Sequence, residues 1–233
     1  MSDFFNVAIP DNGEGFGMFS AGHIGWLLFG AVFCIAMTAV YTRSGRRRTV
    51  RLAVASAALV LELVRAALMA AGGEYGLYTL PLHLCGIAVY LDMLHALTGW
   101  KRLGQFLYAF CFPGAVFALL FPDWSYFPLF NVLTVIGFMV HILIVCYAVM
   151  QVCDIRPTLR SAGTNLLIML LLAVPVYFFD RATDTNYMFL NWPVMPLTLF
   201  SPLGRPGYLL GYLPITALTW LVIYLPLKSK KSE

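Results

Sequence analysis

Charge is what this chain has least of: Asp, Glu, Lys and Arg together make up 11% of its 233 residues, while 61% are hydrophobic and 15% aromatic. A soluble domain usually has roughly a quarter of its residues charged, so composition excludes a water-soluble globule and points to a chain that folds in a membrane. Cysteine chemistry is equally restricted. The five cysteines (Cys34, Cys85, Cys111, Cys146, Cys153) contain no CxxC pair, and none falls in an outer loop, so neither a disulfide framework nor a zinc knot is indicated. The four histidines include no pair at i, i+4, and no metal or cofactor is expected. GxSxG, HExxH and Walker signatures are missing, as is a His followed five residues later by Asp. The first seventeen residues are polar and acidic with no basic n-region, so no cleavable signal peptide is expected and the first apolar run is the insertion signal.

The apolar residues that are present fall into seven runs, near 22–41, 52–71, 80–98, 103–120, 129–150, 161–179 and 206–226. Each is long enough as a helix to cross a hydrocarbon core of roughly 30 Å. The predicted fold is therefore all-α, a polytopic membrane helical bundle of about seven transmembrane helices forming a single domain over 1–233. Basic residues give its orientation. Arg43, Arg46, Arg47, Arg48 and Arg51 follow run one, Lys101 and Arg102 follow run three, Arg156 and Arg160 follow run five, and Lys228, Lys230 and Lys231 follow run seven. The alternate loops carry Asp3, Asp11, Glu14, Glu74, Asp123, Asp180 and Asp184. The N-terminus is thus expected outside and the C-terminus inside, in a multi-pass protein of the cell membrane. The net charge of +4 reflects these topogenic clusters and is no nucleic-acid footprint.

Connections between runs are short except at 180–205, where Tyr187, Phe189, Leu190, Trp192 and Leu197 alternate with Pro193, Pro196 and Pro202. Too apolar for a solvated loop and too proline-broken for a helix, this segment fits either a re-entrant lid over a cavity or an aromatic anchor at headgroup level. No internal repeat is visible, and an odd number of spans does not divide into inverted halves, which weighs against a transporter.

Ionisable groups in mid-span cost about 2.5–3.5 kcal/mol each, so each is a functional candidate. Glu62 and Arg65, three apart on run two, fit an internal ion pair. Run three carries His83, Cys85, Asp92 and His95. If it is helical from Thr79, Cys85 and Asp92 share a face, whereas His83 and Cys85 point nearly opposite ways. His83 is then no base for Cys85. Run five offers His141, on a stripe with Asn131, Thr134 and Phe138, and a cysteine nucleophile with a remote histidine is the chemistry the missing signatures leave. Both residues also have ordinary readings: buried cysteine behaves as a small hydrophobe, and a lone intramembrane histidine often makes only a structural hydrogen bond. Depth counts against the pair. A helix entering at Leu129 puts His141 about 18 Å down, while Cys85 lies about 8 Å below a helix start at 79–80.

The segments LPLHLC at 80–85, PGAVFALLFPDW at 113–124 and NYMFLN at 186–191, with His141, carry a resemblance to the YwaF-like bacterial integral membrane proteins. More distantly the chain is similar to the animal transmembrane acyltransferases of ether phospholipids and to the androgen-induced lipid hydrolases, which have Thr in place of Cys. The resemblance implies an intramembrane acyl-transfer enzyme taking an acyl chain from phospholipid without acyl-CoA, with Cys85 and His141 catalytic. Ile142 and the turn Gly204-Arg205-Pro206-Gly207 depart from the family pattern, which leaves the substrate open.

The expected reaction is acyl transfer or hydrolysis on membrane lipids through an acyl-thioester on Cys85, with phospholipid and lysophospholipid as partners. His83, Asn191 and Tyr187 are candidate oxyanion donors, and Glu62, Arg65 and Asp92 a supporting polar network. Two other classes stay open. One is a small-solute or proton transporter lined by the intramembrane charges; the other is a non-enzymatic membrane assembly factor.

Overall fold

The computed structural model describes residues 3–8, 10, 15–155 and 157–228; the predicted topogenic residues Asp11, Glu14, Arg156, Lys230 and Lys231 lie outside them. Seven helices account for the seven apolar runs: α1 Ala21–Arg43, α2 Arg47–Ala71, α3 Leu84–Thr98, α4 Lys101–Leu120, α5 Val132–Val152, α6 Ala162–Thr183 and α7 Tyr212–Lys228. The predicted all-helical membrane bundle is what forms. Among the described residues six stretches are long and apolar enough to span a membrane; α3, with 15 residues, is a shorter apolar helix.

Helix α5 is the axis of the bundle, its apolar residues buried against α1, α2, α3 and α4. Asn131 caps it, accepting from the Leu133 N–H at 2.8 Å, and Thr134 Oγ1 donates to the Pro128 carbonyl at 2.9 Å. These two members of the predicted stripe shape the helix entry. Helices α6 and α7 flank the bundle and expose long apolar side chains such as Leu167, Leu171, Phe178, Leu213 and Leu221, as lipid-facing helices do.

Two departures from regular helix position the site. Leu80–His83 is not helical: Leu82 N–H reaches back to Leu80 O at 2.8 Å, and His83 is an extended N-cap at φ −63°, ψ 148°. Hydropathy put the start of this span four residues early. The second departure is a π-turn over Leu107–Cys111 inside α4. Pro113 has no N–H to give the Ala109 carbonyl, and that carbonyl accepts instead from Trp220 Nε1 of α7 at 2.9 Å.

Candidate functional site

Cys85 is the second residue of α3. The first intrahelical bond runs from Ile87 N to His83 O at 3.0 Å, so the N–H groups of Leu84, Cys85 and Gly86 make no hydrogen bond among the described residues. A thiol with free amides around it sits at the positive end of the helix dipole. This first-turn position is one turn closer to the helix end than hydropathy suggested. Gly86 is required by the tight entry, because a Cβ there would lie 3.0 Å from the Pro81 backbone.

His141 lies on a stripe of α5 (Gly137, His141, Val145, Val149) that keeps accessible surface, while the adjacent stripe of Phe138, Ile142 and Cys146 is sealed. Its Nδ1 is 2.6 Å from the Gly137 carbonyl. A carbonyl only accepts, so in the neutral ring Nδ1 carries the proton and Nε2 keeps its lone pair. Trp124 stacks on the imidazole at 4.7 Å and 22°, and its own indole N–H is buried with no partner among the described residues.

His83 has the complementary state. Its Nδ1 accepts from the Met188 backbone N–H at 3.2 Å, which leaves the proton of the neutral ring on Nε2. Tyr187 and Phe189 flank it at 5.0 and 5.4 Å. The expectation that His83 and Cys85 oppose one another on a helix falls away, because His83 precedes the helix.

His95 Nδ1 and Tyr147 Oη are 2.8 Å apart, which ties α3 to α5 below the two candidate residues. Cys85 is ten residues, or about 15 Å, above that pair, and His141 six residues, or about 9 Å. Counted from this contact the axial offset is about 6 Å instead of about 10 Å; the lean of His141 toward its helix N-terminus narrows it, while the lean of the longer Tyr147 sets α5 deeper and widens it. The two are not hydrogen-bonded to each other. Both are surrounded by protein and half-buried. The exposed Asp123, beside Trp124, is within electrostatic reach of Cys85, His83 and His141 alike.

Glu62 and Arg65 form the expected ion pair, with contacts of 2.6 and 3.0 Å, and Arg65 also donates to Thr79 O at 3.2 Å, holding the turn that leads to His83. Asp92 bonds to neither. Two of the three candidate oxyanion donors are already engaged: Tyr187 Oη donates to Leu77 O at 2.7 Å, and Asn191 Nδ2 donates to the Asp180 and Thr185 carbonyls. Burial pushes the Tyr187 phenol up to about 12, so it keeps the proton it donates.

Asp180 is an organising group that sequence reading left among the outer-loop acids. Fully buried at the end of α6, it accepts from Thr185 Oγ1 at 2.7 Å and Tyr187 N at 2.9 Å. Met188 and Phe189 follow with positive φ (50° and 55°), a conformation costly for these side chains. Tyr212 and Tyr208 hold it by donating to their carbonyls at 2.6 and 2.9 Å. The outcome is one backbone N–H aimed at His83. Trp124, Gly137 and Asp123 were also missed; the i, i+4 spacing of Gly137 and His141 was the available signal.

A family model described as the TMEM164 family matches residues 18–224. The chain belongs to the TMEM164 family. It is a multi-pass membrane protein by that membership and by its apolar helices. No curated protein and no solved structure matches it.

Proposed function

We propose that this TMEM164-family protein is a lipid acyltransferase of the cell membrane, working on phospholipid and lysophospholipid through an acyl-thioester on Cys85 and needing no cofactor. The observation that supports the reading is the opposite hydrogen-bonding state of two histidines: His141 offers a lone pair at Nε2 and His83, two residues before Cys85, an N–H at Nε2. A base and an acid are what attack on an ester requires.

His141 Nε2 takes the proton of Cys85 as Sγ attacks the ester carbonyl of a phospholipid. Negative charge on the tetrahedral oxygen is met by His83 Nε2–H and by the free N–H groups of the first turn of α3. The C–O bond then breaks, His141 returns the proton to the lysolipid alkoxide, and the acyl group stays on sulfur. In the second half, the hydroxyl of a lysolipid, or water, gives its proton to His141 and attacks the thioester, and the departing thiolate regains that proton. The ester is partitioned in the bilayer beforehand, so the protein's part is positioning. Asp180, Tyr208, Tyr212, Glu62 and Arg65 serve by fixing His83 and its turn.

The test is acyl transfer from labelled phospholipid to lysolipid by purified wild type, Cys85→Ala and His141→Ala. Loss of roughly 100-fold or more is expected in both variants. Equal transfer by all three would overturn the proposal.

A further inference from the structure

Apart from Arg65, which Glu62 neutralises, Arg181 and Arg205 are the basic residues that stand outside the topogenic clusters. The other charged loop residues at their end of the bundle are acids, in keeping with the positive-inside rule. Both arginines are exposed, and neither is ion-paired among the described residues. Two unpaired cations on the side that such charges avoid call for an anion.

They sit against consecutive residues of the segment after α6. Arg181 Nη1 donates to Asn191 Oδ1 at 3.1 Å, and the Arg205 guanidinium lies 5.9 Å from the centre of the Trp192 ring. Next to Arg181 runs a groove of about 350 Å³ with a wholly apolar lining, formed by Ala173, Val174, Tyr177 and Phe178 of α6 with Leu190 and Leu209. The four α6 residues precede Arg181 by eight, seven, four and three positions, so they make up the helix face that Arg181 heads. A long side chain on a helix leans toward the N-terminus, here along the groove. Leu190 adjoins Asn191, so the Arg181–Asn191 bond joins the two walls at the end of the groove.

We propose that this groove holds one acyl chain of an anionic phospholipid whose phosphate is clamped by Arg181 and Arg205. An apolar groove on a membrane-facing helix offers water no partner and suits a hydrocarbon chain. The arginines select the headgroup, because a guanidinium binds phosphate through paired N–H donors and Arg181 gives only one of its donors to Asn191. Trp192, amphipathic and half-buried, is the residue type found at headgroup level. The lipid bound here is distinct from the one that reacts at Cys85. Ala173 and Leu190 pack on the buried Val176, Tyr187 and Met188, and Leu82 and Leu84 pack on the same three residues. Through Leu190 and Asn191 the bound lipid braces the segment that presents the Met188 N–H to His83, and its binding does not depend on chemistry at Cys85.

Titration of the delipidated full chain in detergent micelles with phosphatidylglycerol or phosphatidylcholine of equal chain length, followed by native mass spectrometry, tests this. The first phosphatidylglycerol should bind wild type roughly tenfold more tightly than the first phosphatidylcholine, as two basic residues at one headgroup predict. In the double variant Arg181→Gln/Arg205→Gln, which leaves the basic clusters at the other end intact, the two lipids should bind alike. In Val174→Trp, whose side chain fills the groove, both should bind several-fold more weakly. All three positions are exposed, so the variants keep the core. Equal affinity of wild type for the two lipids, a preference that survives the double substitution, or unchanged binding in Val174→Trp would overturn the proposal. So would a groove filled by a second copy of the chain, seen as a dimer that Val174→Trp splits.

Discussion

An ideal Cβ at Gly137 would come within 3.0–3.2 Å of three atoms of the Trp124 ring, the ring that stacks on His141. The imidazole is thus held from two sides, by the Gly137 carbonyl at Nδ1 and by the indole across its face. Gly137→Ala leaves the carbonyl and displaces the indole, a misplacement that can lower a positioned reaction by about a hundredfold. The expected outcome is an acyl-transfer rate reduced toward that extent with an unchanged far-ultraviolet helix signal; unchanged kinetics would show that the stack does not orient His141. His23 makes the opposite case. Both of its ring nitrogens are bonded, to Phe19 N and Leu119 O at 2.8 Å each, so it is structural. Type and spacing alone do not separate these two histidines, since what distinguishes them is which nitrogen is left free.

Among the elements, α3 and α4 depart furthest from what hydropathy describes. Apolar runs report how favourably side chains leave water, a sum that is the same for LPLHLC whether its backbone is helical or turned. The seven apolar helices, six of them long enough to span, were accordingly legible, and the start of α3 was not. That start depends on a backbone turn at Pro81 and on Gly86 packed against it. The π-turn in α4 was hidden for a related reason: Pro113 signals a missing hydrogen bond, but only the distant Trp220 says where the freed carbonyl goes. Ala109 is buried, so removing its donor leaves an unsatisfied carbonyl at a cost of about 1–3 kcal/mol. Trp220→Phe should lower stability by that amount, measured as unfolding of the purified protein in mixed micelles, and an unchanged midpoint would mean water serves the carbonyl equally well.

At the scale of the molecule, α5 is enclosed by α1 to α4 and supplies His141 and Tyr147, while the segment after α6 closes over the start of α3. The candidate nucleophile and base were named from sequence because Cys85 and His141 are conspicuous in apolar runs. Their support was not, because it rests on contacts between distant segments: Met188 to His83, Tyr147 to His95, Trp124 to His141. The central claim of the proposal is that Cys85 carries the acyl group between lipids. Intact-protein mass spectrometry after a brief incubation with phospholipid, quenched in acid, tests it most directly. The account predicts an added mass of one acyl chain, mapped to Cys85, removed by neutral hydroxylamine and missing in Cys85→Ala; acyl transfer that proceeds with no adduct at Cys85, or an adduct that survives Cys85→Ala, would contradict it.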